Sequence, residues 1–458
     1  MLNSEIIREL KRAAGGRNVV TDIAGRFAYA YDSQPEKGMA DAVVHVTSAE
    51  EIAAVIRIAD KYGIPVVARG AGSGMTGGSV PEVGGVVINL ERMNRIIRID
   101  GEDRIGYCQP GVITAVFQKA AARLGLFYPP APASAEFSSL GGNVAESAGG
   151  LTTVKYGLTK HYVAGLEFVT AEGTIVRTGV YTDRDSPFDV GALVVGSEGT
   201  LGIVTEVALR LIPLPQSKRT ILAFFRTLVE TVRASNALRA SGAEPSVLEF
   251  MDRSCIDTVK EYAGVSVPEG TGALLLVELD GAGEDIGEAN SVVMDTLARM
   301  NPVELTGAAD ESERDALWKL RKATSPAIAR IAPLKFNEDI CVPISKIPLI
   351  SEFVEELGRR REVRVVSFGH SGDGNLHINF MTSPERPEEV LRVKAAIEEL
   401  FRETVRLGGT LSGEHGIGMM KRPYLGIALD EATITFEKAV KCALDPENIL
   451  NPGKIFPE

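Results

Sequence analysis

Hydrophobic and polar positions follow two different patterns along this chain of 458 residues. In the first part, short apolar runs with the length of buried strands alternate with glycine-rich loops. Beyond residues 212–218, which carry two prolines, longer amphipathic helices alternate with single strands. This change predicts two domains, and the second pattern is typical of helix pairs on one face of an antiparallel sheet, as in ferredoxin-like α+β modules.

Local signals place the individual elements. The chain starts with an amphipathic helix, and a β–α–β run follows in which Ser48 and Glu51 predict a capping box and Gly63 ends the helix. The strands predicted in the first part are residues 41–46, 64–68, 86–90, 163–171 and 203–211. The helices predicted in the second part are residues 227–241, 284–300, 311–329, 347–361 and 387–407. The strands predicted between them are residues 220–225, 273–279, 338–342, 363–368 and 376–380.

Composition narrows the class of protein. With 45% hydrophobic and 24% charged residues the chain is globular. Its formal net charge of −12 gives no general attraction to nucleic acid or anionic lipid, which disfavours nucleic-acid binding as a main role. The cysteines form no C-x-x-C pair, which indicates a reducing compartment. The chain shows neither the apolar core of a signal peptide nor a run long enough for a membrane span, so we expect a soluble, cytoplasmic protein that reaches a membrane only through a partner.

Glycine gathers in three clusters, residues 70–85, 141–150 and 196–202. Residues 72–77 read GSGMTG and match the dinucleotide pattern G-x-G-x-x-G, but the chain continues with SVPEVGG, in which no helix can start. The Rossmann interpretation fails because its pyrophosphate needs a helix N-terminus at that point. Tight turns would explain any one cluster, whereas three in one domain favour loops whose backbone N–H groups surround an extended, phosphate-bearing ligand.

Three of the five histidines lie between residues 370 and 415. His370 ends one predicted strand and His377 opens the next across a tight SGDGN turn, so a hairpin would place the imidazoles side by side, with Asn379 on the face of His377. Glu414 and His415 follow in a glycine-bracketed loop. Two imidazoles and a carboxylate suit a divalent-metal site with open positions, and polar core residues are the alternative.

The motifs IPVVARGAGSGMTGGSVP, YPPAPAS, LGGNVAESAGG and VVGSEGTLGIV occur in this order between residues 64 and 204. In them the chain resembles the vanillyl-alcohol-oxidase/PCMH family of FAD enzymes, and more narrowly its D-2-hydroxy-acid dehydrogenase group. The resemblance runs from about residue 37 to the C-terminus. It implies an α+β fold with a PCMH-type FAD-binding domain of two α/β subdomains and a ferredoxin-like cap. The implied boundaries are 1–36 for an N-terminal lead-in, 37–215 for the FAD domain, 216–410 for the cap and 411–458 for a return to the FAD domain.

The resemblance also implies which residues hold the FAD. Relatives with covalent flavin carry a histidine where this chain has Ser73, so a non-covalent cofactor is expected. The implied cofactor residues are Gly70, Ala71, Gly72, Ser73, Gly74, Thr76, Gly77, Pro132, Ser139, Gly142, Asn143, Gly149, Glu198, Ile203 and Asn451.

The resemblance implies that a divalent metal, which is zinc, manganese or iron, is bound by His370, His377 and Glu414. It also implies that His415 takes the substrate proton. The chemistry suits oxidation of a 2-hydroxy acid, because a cation lowers the pKa of the hydroxyl and an imidazole titrates near neutrality. A guanidinium binds a carboxylate bidentately, and the family has an arginine in the stretch that contains Arg321. The other predicted substrate contacts are Lys335 and Asn379.

These observations predict an FAD-dependent D-2-hydroxy-acid dehydrogenase, with D-lactate and glycolate as leading substrates. The alternatives are a D-2-hydroxyglutarate dehydrogenase, a flavin-dependent alkyl-transfer synthase on the same scaffold, a flavoprotein subunit that mainly transfers electrons, and a metal hydrolase. The cysteines cannot hold an iron–sulfur cluster alone, so an iron–sulfur subunit, an electron-transferring flavoprotein or a quinone is the expected electron acceptor. The sequence leaves open whether the chain acts alone, as a homodimer or within a complex.

Overall fold

The computed structural model describes residues 2–34, 36–182 and 188–457, and of Glu284 only the backbone. The α-helices are α1 Ser4–Ala14, α2 Ile23–Phe27, α3 Ala49–Tyr62, α4 Thr114–Ala122, α5 Leu140–Glu146, α6 Thr153–Tyr156, α7 Val190–Val194, α8 Leu228–Ala240, α9 Arg253–Ala263, α10 Gly283–Arg299, α11 Glu311–Ile328, α12 Ile347–Arg361, α13 Pro387–Arg406, α14 Leu425–Ala428 and α15 Glu431–Leu444. Short 3₁₀ turns span Gly16–Asn18, Thr159–His161, Gly179–Tyr181, Ile344–Lys346 and Arg422–Tyr424.

The strands are β1 Val19–Val20, β2 Ala42–His45, β3 Val66–Arg69, β4 Val86–Asn89, β5 Ile96–Asp100, β6 Ile105–Cys108, β7 Leu126–Phe127, β8 Val163–Val169, β9 Ile175–Arg177, β10 Ile203–Arg210, β11 Ile212–Pro213, β12 Ser217–Phe225, β13 Val247–Asp252, β14 Ala273–Gly281, β15 Glu304–Gly307, β16 Leu334–Cys341, β17 Arg364–His370 and β18 Asn375–Thr382. They confirm the predicted strands to within a few residues at each end. The strands without a counterpart among the predicted ones are β1, β5, β6, β7, β9, β11, β13 and β15.

The chain forms two compact units. The first contains Met1–Gly150, Leu158–Leu214 and Glu414–Glu458, and the second contains Leu151–Gly157 and Pro215–Gly413. The main division falls at the proline-containing segment. Nothing in the sequence pattern indicated that residues 151–157 belong with the second unit.

The first unit has two larger sheets. β1, β2, β4 and β3 form one of them in that order, with β2 and β3 both parallel to β4. β5, β6, β10, β8 and β9 form an antiparallel sheet. The predicted β–α–β run is confirmed, since the Ser48 hydroxyl accepts the Glu51 N–H at the start of α3 and Gly63 ends the helix in the left-handed region. The capping box is not closed, because the Glu51 carboxylate accepts the N–H of Thr47 rather than that of Ser48.

The second unit contains one antiparallel sheet of seven strands in the order β15-β12-β14-β13-β17-β18-β16. Its first four strands have the ferredoxin-like order, and α8 and α10 pack together on one face, as the sequence pattern predicts. The opposite face is covered as well, because α9 and α11 pack against it. Alternate residues of β12 divide between the two cores: Ile221 and Ala223 face α8 and α10, whereas Leu222 and Phe224 face α9 and α11.

Strand register brings polar residues together on the face of α9 and α11. Glu249 of β13 pairs with His370 of β17, and His377 of β18 pairs with both Phe368 of β17 and Asp339 of β16. Directly paired residues of antiparallel strands project to the same face. Among the described residues, no helix is long and apolar enough to cross a membrane.

Candidate active site

The second unit contains the predicted histidine hairpin. β17 and β18 pair antiparallel, and the Asn375 N–H donates to the Asp373 carboxylate across the turn at 3.2 Å, while Gly374 has a φ of 88°. The predicted hairpin and its predicted tight turn are both confirmed. His370 Nε2 and His377 Nε2 lie 3.3 Å apart, and the two rings are perpendicular. The two nitrogens are therefore close enough to act on one bound atom.

A carboxylate lies behind each imidazole. Glu249 Oε1 is hydrogen-bonded to His370 Nδ1, and Asp339 Oδ1 lies 3.6 Å from His377 Nδ1. Asp339 is itself held by Asn375 Nδ2 at 2.5 Å and by other donors. Metal-binding histidines characteristically have such carboxylates on the ring nitrogen remote from the metal, where they fix the tautomer and the ring orientation. The arrangement thus fits a metal bound through the two Nε2 atoms.

Glu249 links this histidine pair to the predicted substrate-binding arginine. Arg321 Nε donates to Glu249 Oε2 at 2.6 Å, and the guanidinium lies over the Phe368 ring at 4.8 Å from its centroid. Burial acts to raise the pKa of Glu249, but the charges of His370 and Arg321 outweigh it and hold that pKa below its ordinary value. The buried carboxylate is therefore ionised at neutral pH and needs its cationic neighbours.

The other two predicted substrate residues share the polar face of the sheet. Lys335 lies on β16, where burial lowers the pKa of its ammonium group. Asn379 is buried on β18, and its amide hydrogen-bonds within the sheet: Oδ1 accepts from Asn337 Nδ2 at 2.7 Å and Nδ2 donates to the Val366 carbonyl at 3.2 Å. The structure thus shows a sheet-ordering contact for Asn379, and its predicted contact with substrate stays a prediction.

Sequence reasoning missed Glu249 and Asp339, which orient the two histidines. The available signal was the presence of acids inside strands that are apolar enough to be buried: VLEFMD contains Glu249 and Asp252, and LKFNEDIC contains Glu338 and Asp339. The carboxylates of Glu249 and Asp339 are fully buried. A buried carboxylate requires a partner, so each acid predicts a nearby cation or donor.

In the first unit, the first glycine cluster forms an irregular loop with no helix after it, as predicted. Gly72 and Gly77 have φ values of 67° and 79°, which other residues rarely adopt. A side chain at Gly70 would overlap the Ser139 hydroxyl, so the loop lies directly against that residue. The second cluster differs from the expected loop, because Ser139 caps the short helix α5, which contains Gly142 and Asn143.

A cavity of about 540 Å³ opens beside this loop and is lined in part by Gly70, Ala71 and Ser139. These are three of the residues predicted to contact FAD. Backbone-rich walls and a cavity of this size suit a cofactor whose pyrophosphate needs N–H donors and whose rings need apolar contact. The local structure therefore fits the cofactor.

All of the predicted cofactor residues lie in the first unit. Asn143 Nδ2 donates to the buried Thr114 hydroxyl at 2.7 Å, and Asn451 Nδ2 donates to the Gly78 and Glu198 carbonyls. The remaining members have these positions: Ser73 and Gly74 in the first loop, Thr76 and Gly77 at its end, Pro132 in the segment before α5, Gly149 after α5, Glu198 in the third cluster, and Ile203 at the start of β10.

Glu414 and His415 also lie in the first unit, on a loop where His415 Nε2 is 3.9 Å from Glu414 Oε1. The Thr76 hydroxyl donates to the His415 carbonyl at 3.3 Å. The predicted proton acceptor is thus joined to the predicted FAD loop by a hydrogen bond. The roles of Glu414 as third metal ligand and His415 as base stay predictions from the sequence.

Comparison with known families gives one match in the first part of the chain and another in the second part. Residues 214–455 match the family of FAD linked oxidases, C-terminal domain, and residues 40–179 match the FAD binding domain family. The chain therefore belongs to the FAD-linked oxidases and is an FAD-dependent oxidoreductase. The FAD-binding prediction is confirmed at this level.

Three relatives match essentially the whole chain. The glycolate oxidase subunit GlcD of Bacillus subtilis is 38% identical, over 100% of this chain and 97% of the relative. The D-lactate dehydrogenase of Anaerostipes hadrus is 34% identical over 98% and 97% of the two chains. The D-2-hydroxyglutarate dehydrogenase of Stutzerimonas stutzeri is 32% identical over 100% of both.

Solved structures confirm the predicted fold. p-Cresol methylhydroxylase matches with a TM-score of 0.82 at 18% identity, covering 99% of this chain and 96% of the other. The 4-ethylphenol oxidase of Gulosibacter chungangensis matches with a TM-score of 0.80 at 20% identity, covering 99% and 97%. The chain has the PCMH-type FAD-binding fold with an additional C-terminal domain.

Proposed function

We propose that this protein oxidises a D-2-hydroxy acid to the 2-oxo acid, with D-lactate or glycolate as the preferred substrate. The observation that carries the proposal is the pair of adjacent imidazoles, each with a carboxylate on its far nitrogen. Relatives named glycolate oxidase subunit, D-lactate dehydrogenase and D-2-hydroxyglutarate dehydrogenase support the substrate class. D-2-Hydroxyglutarate is the alternative substrate.

We assign the metal to His370 Nε2 and His377 Nε2, with Glu414 as the third ligand expected from the sequence. Glu249 orients the His370 imidazole through its hydrogen bond to Nδ1, and Asp339, 3.6 Å from His377 Nδ1, would orient the second imidazole. Two nitrogens and an oxygen suit zinc, manganese or iron(II). A bound divalent cation supplies Lewis acidity that lowers the pKa of a hydroxyl.

Side chains bind the substrate and accept its proton. Arg321 binds the substrate carboxylate, and its Nε contact with Glu249 fixes the guanidinium plane. His415 accepts the hydroxyl proton at an imidazole nitrogen, because imidazole is the side chain that most often serves as a general base. FAD, held without a covalent bond by the glycine loops, supplies the acceptor for the hydride.

The proposal is tested by mixing the FAD-loaded protein anaerobically with D-lactate, L-lactate, glycolate and D-2-hydroxyglutarate. We expect D-lactate or glycolate to bleach the flavin absorbance and L-lactate to leave it unchanged, while dithionite bleaches it in every sample. A protein that takes up no FAD, or a flavin that no 2-hydroxy acid reduces, would contradict the proposal. Chelation should abolish bleaching by substrate and retain bleaching by dithionite.

Electrons must then leave the flavin, and we propose that they pass to an iron–sulfur subunit, an electron-transferring flavoprotein or a quinone. The word subunit in the name of the Bacillus subtilis relative supports a protein partner. Continuous turnover with an artificial acceptor would favour this oxidation over an alkyl-transfer synthase, whose solved structure shares the fold at 19% identity. Activity retained in His415→Ala would favour a mainly electron-transferring subunit. The cytoplasmic location expected from the sequence stays a prediction.

A further inference from the structure

Residues 414–418, here called the histidine loop, carry Glu414 and His415. In the first unit, the carboxylate of Glu198 binds the end of this loop with both of its oxygens. Glu198 Oε1 accepts the Ile417 N–H and Oε2 accepts the Gly418 N–H, each at 2.7 Å. A carboxylate that accepts two adjacent backbone N–H groups fixes both the position and the direction of the peptide.

The middle of the histidine loop fits closely against two carboxyl groups. Gly416 has a φ of 85°, and a side chain there would overlap Glu146 Oε2 and lie 2.8 Å from Glu198 Oε1. The Thr76 carbonyl accepts the Met419 N–H at 2.9 Å just beyond the loop. The end of the loop backbone, at Ile417, Gly418 and Met419, is therefore held by hydrogen bonds to other segments of the first unit.

The backbone conformation of Glu198 is fixed by contacts other than those with the histidine loop. It is a buried residue with a φ of 52°, a left-handed conformation that costs free energy for any residue with a side chain. Its carbonyl accepts from Asn451 Nδ2 at 2.7 Å. Such a conformation persists where surrounding contacts determine it, and here it directs the carboxylate toward the histidine loop.

Two neighbouring carboxyl groups would repel each other if both were ionised. Burial, and then the charges of Glu198 and Asp32, raise the pKa of Glu146 well above its ordinary value. Burial also raises the pKa of Glu198, but two backbone N–H groups and the charges of Lys421 and Lys454 favour its ionised form. Of the two carboxyl groups, Glu146 has the more strongly raised pKa, so Glu198 is the one better placed to accept the two N–H groups as a carboxylate.

We propose that Glu198 is a positioning residue that holds the histidine loop, and with it the imidazole of His415, in the geometry needed for proton transfer. This assignment differs from the cofactor contact that the sequence implies for Glu198. It rests on the proposed function, because His415 is the base of that reaction. The carboxylate acts through the loop and takes no part in bond making.

Glu198→Gln tests the proposal, because an amide offers one acceptor oxygen and its NH2 group cannot accept from an N–H. We expect the protein to keep its FAD and its KM, while flavin reduction by saturating substrate slows about 100-fold, as for a base displaced by about 1 Å. In a His415→Ala background the same change should cost less than about twofold, since residues that act together are not additive. Glu82→Gln is the matched control: it removes a carboxylate that binds Arg422, just beyond the loop, and should leave the rate unchanged.

Loss of FAD from Glu198→Gln, or an equal slowing in the presence and absence of His415, would overturn the proposal in favour of a cofactor contact. Hydrogen–deuterium exchange gives a readout that needs no substrate. The amides of Ile417 and Gly418 should exchange faster in Glu198→Gln than in the unaltered protein or in Glu82→Gln. If no 2-hydroxy acid reduces the flavin, the proposed function fails, and this exchange still decides whether Glu198 holds the loop; unchanged exchange would reject it.

Discussion

The two units hold their candidate site residues by different physical means. In the first unit the backbone contributes most: glycines with positive φ, such as Gly72, Gly77 and Gly416, let loops approach one another closely, and two N–H groups of the histidine loop bind one carboxylate, that of Glu198. In the second unit, side chains on neighbouring strands do it, with Glu249 binding both His370 and Arg321. A backbone site depends on conformation, whereas a side-chain site depends on charge balance.

This difference predicts which kind of substitution damages the site in each unit. Adding a methyl group should damage the first site and leave its charges intact. Replacing an acid by its amide should damage the second site and leave its shape intact. Glycine-to-alanine substitutions in the first unit and acid-to-amide substitutions in the second, each with a matched control, therefore test whether the comparison is correct.

The largest effect is expected from Glu249→Gln. The change leaves His370 and Arg321 without their shared buried carboxylate, and breaking a buried ion pair in this way costs about 3–5 kcal/mol of stability. We also expect loss of bound metal and of substrate-driven flavin reduction, with FAD retained in the first unit. Denaturant unfolding, metal analysis and flavin absorbance measure the three outcomes.

Glu304→Gln is the control for this change, since Glu304 is an exposed acid on edge strand β15 of the same sheet. It should alter stability by less than about 0.5 kcal/mol. If Glu249→Gln proves as mild as this control and keeps its metal, the second site does not depend on its charge balance.

A smaller effect is expected from Gly416→Ala in the first unit. Its φ of 85° disfavours any side chain, and the added methyl group would overlap the Glu146 carboxyl, so we expect a loss of about 3 kcal/mol, part of it from each cause. The unfolding midpoint measures this loss. Substrate-driven flavin reduction should fall with it, because the loop carries His415.

Gly426→Ala is its control, because Gly426 lies in helix α14 of the same C-terminal segment with open space around its Cα and an ordinary φ. Alanine in a helix is more favourable than glycine by roughly 0.5–1 kcal/mol, so this variant should be slightly more stable than the unaltered protein. Equal effects at the two glycines would show that backbone conformation does not distinguish them.

The same contrast explains what could be predicted from the sequence. The glycine loops and the histidine hairpin are contiguous segments, so residues such as Gly72, His370 and His377 carry their signal within a few positions, and the structure places them as local chemistry requires. Glu249 lies more than a hundred positions from His370, and its role follows only from the pairing of β13 with β17. A pairing between distant strands leaves no local pattern.

The sequence-based predictions also failed in two segments, for two different reasons. LGGNVAE contains two glycines and was expected to form a loop, yet it is helix α5, because Ser139 caps it and Leu140 and Val144 are buried on one side. Glu198 was assigned to the cofactor by resemblance alone. Its contact with Ile417 and Gly418 joins segments more than two hundred positions apart, which no spacing rule can reveal.

The last effect, a gain of stability rather than a loss, sharpens the comparison most, because it comes from an acid-to-amide change on the same strand as Glu249. Asp252 ends β13, three positions after Glu249, and caps helix α9 through the Cys255 N–H at 2.8 Å. Burial raises its pKa to about 6, and hydrogen bonds from Ser254 and Cys255 lower it only in part. Because the folded state binds this proton more tightly than the unfolded chain, the stability it contributes is complete below about pH 4 and is lost as the pH rises through about 6.

Asp252→Asn should therefore be more stable than the unaltered protein at pH 8, by about 3 kcal/mol, and gain nothing at pH 4, since asparagine caps a helix as well as aspartate does. Urea unfolding of both proteins at pH 4, 6 and 8 measures the difference. Asp310→Asn serves as the control, because Asp310 caps α11 in the same way but is exposed, so it should lack the gain that burial produces at Asp252. A loss of stability at pH 8 from Asp252→Asn would mean that this carboxylate, like Glu249, is needed in its charged form, and that charge balance governs the whole of β13 rather than the site alone.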